Sequence, residues 1–222
     1  MYERTICVTI SRKWAEPLIK EYFKQSGILS SGTQLSIEYD YEPEQFIPDR
    51  RKRIVEIMQR HQKKAEGKNI IVLEDDSIPK DRYALQRLEG IRIRKKAKYV
   101  TAMEINRWNS KHVGAYKVFD YGKPYLTGIM SLPLKKSGIQ RIDAGGWFCF
   151  ATNYKTFKNN KFELCPDKNI GPDVWWTYKI KARKYIDWQI ICKHYCSKNY
   201  YLDERDFQNI IMYNKKKWEI IV

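Results

Sequence analysis

The stretch Ile70-Ile-Val-Leu-Glu74-Asp75-Asp76-Ser77-Ile78-Pro79 sets four apolar side chains directly against three consecutive carboxylates. A continuous apolar run rich in Ile and Val predicts a strand buried on both faces, and so an interior strand of a covered sheet. Open α/β sheets bind their ligands beyond the carboxyl ends of such strands, where Glu74, Asp75 and Asp76 would stand. The chain carries 42 Lys and Arg against 26 Asp and Glu, a formal net charge of +16. Three adjacent carboxylates in so basic a chain need a counter-ion, and a hard divalent cation that also grips a phosphate supplies one. The same residues fit a plain polar turn, with Asp76 or Ser77 capping a following helix.

Three later segments also carry chemistry. Ile142-Asp143-Ala-Gly145-Gly146-Trp147 is a small-residue turn where a backbone can approach a ligand closely. Ile170-Gly171-Pro172-Asp173-Val-Trp-Trp opens a helix, and Asp173 there is either its N-cap or a general base. Asp187-Trp-Gln-Ile-Ile-Cys192-Lys-His194 predicts a strand that places Ile190, Cys192 and His194 on one face. His194 on an apolar face is a satisfied core histidine or a metal ligand. Cys192-x-His194-x-Cys196 lacks the second ligand pair of a structural zinc site, with only Cys165 as a further partner. Five cysteines without a regular spacing fit reduced thiols.

These residues need a scaffold, and the hydrophobic pattern supplies one. Thr5–Ile10 predicts a first strand. A helix follows with Trp14, Leu18, Ile19, Tyr22 and Phe23 on one face, Pro17 in its first turn and Gly27 as its stop. Gln34–Tyr39 alternates as a second strand. Ile54, Ile57, Met58, His61 and Ala65 mark an amphipathic helix ended by Gly67. After the carboxylate strand, Tyr83, Leu85 and Leu88 predict a short helix, and Tyr99–Met103 a further strand. Strands alternating with helices imply a mostly parallel sheet with right-handed crossovers. From about residue 105 the period breaks into short β pieces (Val113–Phe119, Tyr125–Met130, Trp147–Ala151), an α+β second half. The helix at Asp173 is expected to run through Val174, Tyr178 and Ala182. One domain over residues 1–222 is expected: a ligand-binding half to about 104, a second half to about 196, and a basic tail over 197–222.

Hydrophobic content of 43% with 31% charged residues is that of a globular chain. No stretch approaches the roughly 20 apolar residues of a membrane-spanning helix, and the amino-terminal residues lack a signal-peptide pattern, so a cytoplasmic location is expected. The basic surplus points to anionic partners without choosing among nucleic acid, anionic membrane and phosphorylated small molecules.

Taken in order, Leu73-Glu-Asp-Asp-Ser-Ile-Pro79, the Gly145-Gly146 turn before an aromatic strand, Gly171-Pro172-Asp173 opening a helix, and a strand ending in His194 resemble the GT-A glycosyltransferases. The likeness is to the small, single-domain, family-2-like enzymes common in phage and viral genomes, and spans roughly residues 5 to 195. It implies a Rossmann-like nucleotide-diphospho-sugar transferase fold and transfer of a sugar from a UDP- or GDP-linked donor to an acceptor that it does not identify. It also implies a host-cytoplasmic setting if the chain is viral. Asp76 matches the metal-binding last position of the family's DxD motif, Glu74 the first and Asp75 the middle. His194 matches a second metal ligand, and Asp173 the carboxylate that often serves as base. Asp76, His194 and Glu74 would then hold Mn²⁺ or Mg²⁺, the imidazole favouring Mn²⁺. Glu74 and Asp75 would contact ribose and donor sugar. Ser11, Arg12 and Asp40, at the ends of the first two strands, would bind the nucleotide, with the guanidinium on phosphate. Arg53 and Arg60 lie near the family's base-binding segment. Gly145, Gly146 and Trp147 would face acceptor or sugar, Trp147 by stacking on a ring or, alternatively, as core packing.

The chain departs from the family in three places. Glu replaces the first Asp of DxD, Pro172-Asp173 replaces a Glu-Asp pair, and Ala182-Arg-Lys-Tyr-Ile lacks the usual glycine. Two rivals remain: a basic nucleic-acid-binding protein without catalysis, and a metal-dependent nuclease. The first explains charge and aromatics but not three carboxylates, which would repel phosphates. The second lacks a suitably spaced catalytic Lys.

Overall fold

The computed structural model describes residues 2–41, 50–105, 113–119, 128–131, 137–206, 211–214 and 217–220. The first hundred residues alternate as the hydrophobic pattern requires, with one short strand, β4, added after β3: β1 (Arg4–Ile10), α1 (Glu16–Ser26), β2 (Thr33–Tyr39), α2 (Arg50–Lys64), β3 (Asn69–Glu74), β4 (Ser77–Pro79), α3 (Ala84–Arg94) and β5 (Tyr99–Met103). Pro stands in the first turn of α1, and Gly27 ends it in the left-handed conformation at φ 60°. Gly67 follows α2 because a side chain there would collide with the Arg4 backbone, a Cβ falling 2.3 Å from its carbonyl carbon.

The second half adds β6 (Ala115–Phe119), β7 (Gly128–Ser131), β8 (Ile139–Arg141), β9 (Ala144–Gly145) and β10 (Cys149–Asn153). There follow α4 (Tyr154–Asn159), α5 (Pro172–Lys179), β11 (Lys184–Ser197), β12 (Tyr200–Leu202), β13 (Ile211–Asn214) and β14 (Lys217–Ile220). The main sheet runs β12-β11-β5-β10-β3-β1-β2. β1 is parallel to β2 and β3, and β11 to β5, while β10 is antiparallel to both β3 and β5. A strand from the second half thus enters the middle of the first-half sheet.

β3 is covered on both faces. Ile70 and Val72 pack with Val55 and Met58 of α2, Phe150 and Trp176, whereas Ile71 and Leu73 pack with Ile19 and Phe23 of α1 and Leu85 and Leu88 of α3. All four β3 residues are at most 1% exposed, and full burial of each is worth roughly 1.5–3 kcal/mol.

The structure bears on three further readings. The helix after Gly171 stops at Lys179, short of Ala182, because Ile180 leaves the helical region and buried Lys184 caps the end, its Nζ donating to the Thr177 and Ile180 carbonyls at 2.9 and 2.8 Å. Within the tail from residue 197, Tyr200–Leu202 pairs with β11, and Leu202 is fully buried in the core. Ser77 starts a strand, not a helix, so neither it nor Asp76 caps α3, whose N-cap is Tyr83; Asp81 Oδ1 accepts from the Tyr83 amide at 2.9 Å in the turn before it. Residues 125–127 of the expected Tyr125–Met130 strand lie outside the described residues, and β7 covers the rest.

Candidate active site

β1, β2 and β3 end level with one another, Ile10 opposite Tyr39 and Thr9 opposite Glu74, so their carboxyl ends form one rim. Beyond β3 the chain turns through Asp75 and Asp76, each 2% exposed. Asp75 is committed to the β1 end. Its carboxylate accepts from the amides of Ser11 and Arg12, both at 2.8 Å, from the Ser11 hydroxyl at 3.1 Å and from the Arg12 guanidinium at 3.1 Å. Burial, then the neighbouring Asp76 charge, pushes the Asp75 pKa up, opposed by Arg12 and the two amides. Ser11 and Arg12, expected to meet a nucleotide, are therefore spent on holding the carboxylate turn in this structure. The guanidinium expected on phosphate also lies 3.1 Å from Asp76 Oδ2. The counter-ion that the charge pattern demanded is Arg12.

β11 brings His194 to the same turn. It runs parallel to β5, bulges between Ile186 and Ile191, and then pairs antiparallel with the three residues of β4. That register sets His194 opposite Ser77, and the Tyr195 amide donates to the Asp76 carbonyl at 2.6 Å. His194 Nδ1 lies 2.8 Å from the Ile105 carbonyl and 3.0 Å from Glu104 Oε1. Both partners can only accept while Glu104 is ionised, so Nδ1 carries the proton. In the neutral ring the Nε2 lone pair then faces Asp76 Oδ2, 3.7 Å away. Asp76 and His194 are the side chains that would hold a divalent cation at this turn. Among the described residues, no three His, Cys, Asp or Glu side chains converge into a metal cage. Glu74 therefore does not complete the expected triad with Asp76 and His194.

Glu104 escaped the sequence reading, although the signal was present: it follows the apolar strand Tyr99–Met103 as Glu74 follows Ile70–Leu73. It accepts from the Ser77 hydroxyl at 2.6 Å as well as bracing His194, and so ties β5, β4 and β11 together.

Asp40 follows β2, its amide donating to the Ile10 carbonyl at 2.9 Å, and pairs with Arg53 of α2 at 2.7 Å. Arg60 instead pairs with Glu38 at 2.6 Å. Asp40 and Arg53 thus form one polar unit at the β2 side of the rim.

Asp173 reaches the rim through the glycine turn. Gly171, not Asp173, is the N-cap of α5; Asp173 is the second helical residue, and its carboxylate accepts from its own amide and that of Val174. Burial raises its pKa, against the pull of those amides and of Arg51. Gly171 leaves room for the carboxylate: a Cβ there would fall 2.3 Å from Asp173 Oδ1. A Cβ on Gly146 would fall 3.4 Å from Asp173 Oδ2, and two residues on, the Phe148 carbonyl accepts from the Glu74 amide at 2.8 Å. Asp173, Gly146 and the end of β3 are therefore neighbours in one continuous wall. Gly145 is pinned beneath it by the Thr177 hydroxyl, 2.9 Å from both its amide and its carbonyl.

Trp147 is packing. It is 2% exposed, with Phe162 edge-on at 5.1 Å and Trp176 at 6.4 Å between ring centres, so its faces are taken and no sugar can stack there. All five cysteines are free thiols.

No family model and no curated protein matches the sequence. In structure the chain is similar to A197 from STIV, with a TM-score of 0.61 at 12% identity over 96% of this chain and 95% of that one. It is also matched, at lower scores, by S. aureus TarS 1-349 (TM-score 0.47, 11% identity, 84% of this chain and 58% of that one). HddC from Yersinia pseudotuberculosis follows (TM-score 0.44, 9% identity, 91% and 93%). The near-complete overlap with the first shows the fold, which is the GT-A, Rossmann-like α/β fold.

Proposed function

We propose that the chain is a nucleotide-sugar-dependent glycosyltransferase, of hexosyltransferase type, that uses a UDP- or GDP-linked donor and a divalent cation, Mn²⁺ or Mg²⁺. One observation carries the proposal: His194 Nε2 facing Asp76 Oδ2 at 3.7 Å, on the rim where three parallel strands end. Nucleotide binding at such a rim is the general habit of open α/β sheets. A basic nucleic-acid-binding protein has no use for a braced histidine facing a buried carboxylate.

Asp76 and His194 would hold the cation, which when bound neutralises the charge growing on the departing diphosphate. The Asp40–Arg53 pair offers a carboxylate and a guanidinium to base and ribose, and Glu74, at the tip of β3, faces ribose or donor sugar. Asp75 works indirectly, by holding the Ser11–Arg12 loop. Asp173 would take the proton of an acceptor hydroxyl as its oxygen bonds to the anomeric carbon and the nucleotide diphosphate leaves; burial raises its basicity for that task. The expected cytoplasmic setting agrees with five free thiols.

The test is thermal. UDP or GDP with Mn²⁺ is expected to raise the melting temperature by binding only the native state, a gain of about 2.7 kcal/mol at a hundredfold excess over Kd. Hydrolysis of a panel of nucleotide sugars should fall at least about 100-fold in Asp76→Ala. No shift with any nucleotide diphosphate at millimolar metal would overturn the reading.

A further inference from the structure

One nitrogen of Arg12 lies 3.1 Å from Asp75 Oδ1 and 3.1 Å from Asp76 Oδ2. That Asp76 oxygen is the one that faces His194. The guanidinium is also held in place: the Arg12 side chain is 15% exposed, its own amide is bonded to Asp75, and its guanidinium carbon lies 5.9 Å from the centre of the Trp14 ring. A divalent cation on Asp76 Oδ2 at about 2.1 Å would stand no more than about 5 Å from that nitrogen. Two like charges so close in a shielded site repel strongly.

We infer that Arg12 is the resident counter-ion of the Asp75–Asp76 pair, and that a divalent cation reaches Asp76 only by displacing it. The inference rests on the reading of Asp76 and His194 as a cation pair. It follows that the free chain binds bare metal weakly. A nucleotide diphosphate favours the exchange, because its phosphate oxygens offer the released guanidinium a bidentate partner of equal quality. Metal and nucleotide then bind cooperatively, each raising the affinity of the other by the same factor. Arg12 would be a positioning residue that couples the two, and its phosphate contact would arise only in the loaded state.

The test uses Mn²⁺ alone, with bound and free ion distinguished by electron paramagnetic resonance. Without nucleotide, Arg12→Met should bind Mn²⁺ at least about tenfold more tightly than wild type. Adding Asp76→Asn should erase the gain, and Arg12→Lys, which keeps a cation in place, should stay within about threefold of wild type. An Arg12→Met affinity equal to or weaker than wild type would overturn the inference. If Arg12→Met does not unfold cooperatively, Arg12→Gln is measured instead, with the same two outcomes. The melting shift with UDP or GDP judges the donor reading separately. Equal Mn²⁺ affinities would remove the role of Arg12 even where that shift is seen, and a tenfold gain would support it even where no nucleotide binds.

Discussion

Asp75 and Asp76 are adjacent carboxylates with different work. Asp75 accepts from two backbone amides, a hydroxyl and a guanidinium, all from Ser11 and Arg12, so it serves as the clasp between the ends of β1 and β3. Asp76 Oδ2 stands between Arg12, 3.1 Å away, and His194, 3.7 Å away, whose second nitrogen is fixed by Ile105 and Glu104. Asp173 is a third kind of carboxylate, half-buried at the start of a helix and raised in pKa by that burial. Its proposed role makes a specific demand. Asp173→Asn should cut transfer by roughly 10²- to 10⁴-fold, the usual worth of a general base, and leave nucleotide-diphosphate affinity unchanged. Equal losses in affinity and turnover would show instead that Asp173 shapes the donor site.

The elements that deliver these side chains are held by small, separable devices. β4 has three residues, yet its register with β11 decides where His194 stands. α5 is held at one end by Lys184 and against the glycine turn by Thr177. At its other end Gly171 has an ordinary extended backbone, φ −64° and ψ 146°, so alanine is conformationally allowed there. What alanine would strike is the Asp173 carboxylate, 2.3 Å from the new Cβ. Gly171→Ala should therefore cost roughly 0.5–2 kcal/mol of stability, through the poorer N-cap and the lost carboxylate–amide bonds, while displacing the carboxylate and lowering turnover about 100-fold. Melting curves and turnover measured on the same preparation separate the two effects; a large loss of stability with intact turnover would contradict this account.

At the scale of the whole molecule, one sheet carries two buried faces, and a single polar side chain deep in one layer sets an acid limit. His61 of α2 is fully buried between the Ser36 and Thr9 hydroxyls, at 3.0 and 3.3 Å, and burial lowers its pKa from 6.5 to about 4. The unfolded chain binds that proton first, so stability is fully present above pH 6.5 and is lost as pH falls toward 4. The loss from this site is on the order of 3 kcal/mol. Asp75, shifted upward, works in the opposite sense. The comparison that isolates His61 is therefore wild type against His61→Asn by denaturant unfolding across that window. The variant should lose less stability by about the same amount, and parallel profiles would refute the assignment. Among the described residues no helix is long and apolar enough to cross a membrane.

The amino-acid order by itself determined the frame. Apolar runs and helical spacing specify β1, β2, β3 and β5 with their helices, because burial of alternate or consecutive apolar side chains is a local property of sequence; β4 is not among them. The same logic set Glu74, Asp75 and Asp76 at a strand end, and the alternation of Ile190, Cys192 and His194 put the imidazole on an inward face. Which partner each polar group finds is not local. Arg12 meets the carboxylates of residues 75 and 76, Glu104 braces His194, and Trp147 is taken by Phe162 and Trp176. Those choices depend on the bulge in β11, the insertion of β10 and the close packing of three aromatic rings. Charge alone requires a cation beside Asp75 and Asp76; only the tertiary structure decides that the chain carries it as Arg12, because pairing of opposite charges follows distance in space and not order along the chain.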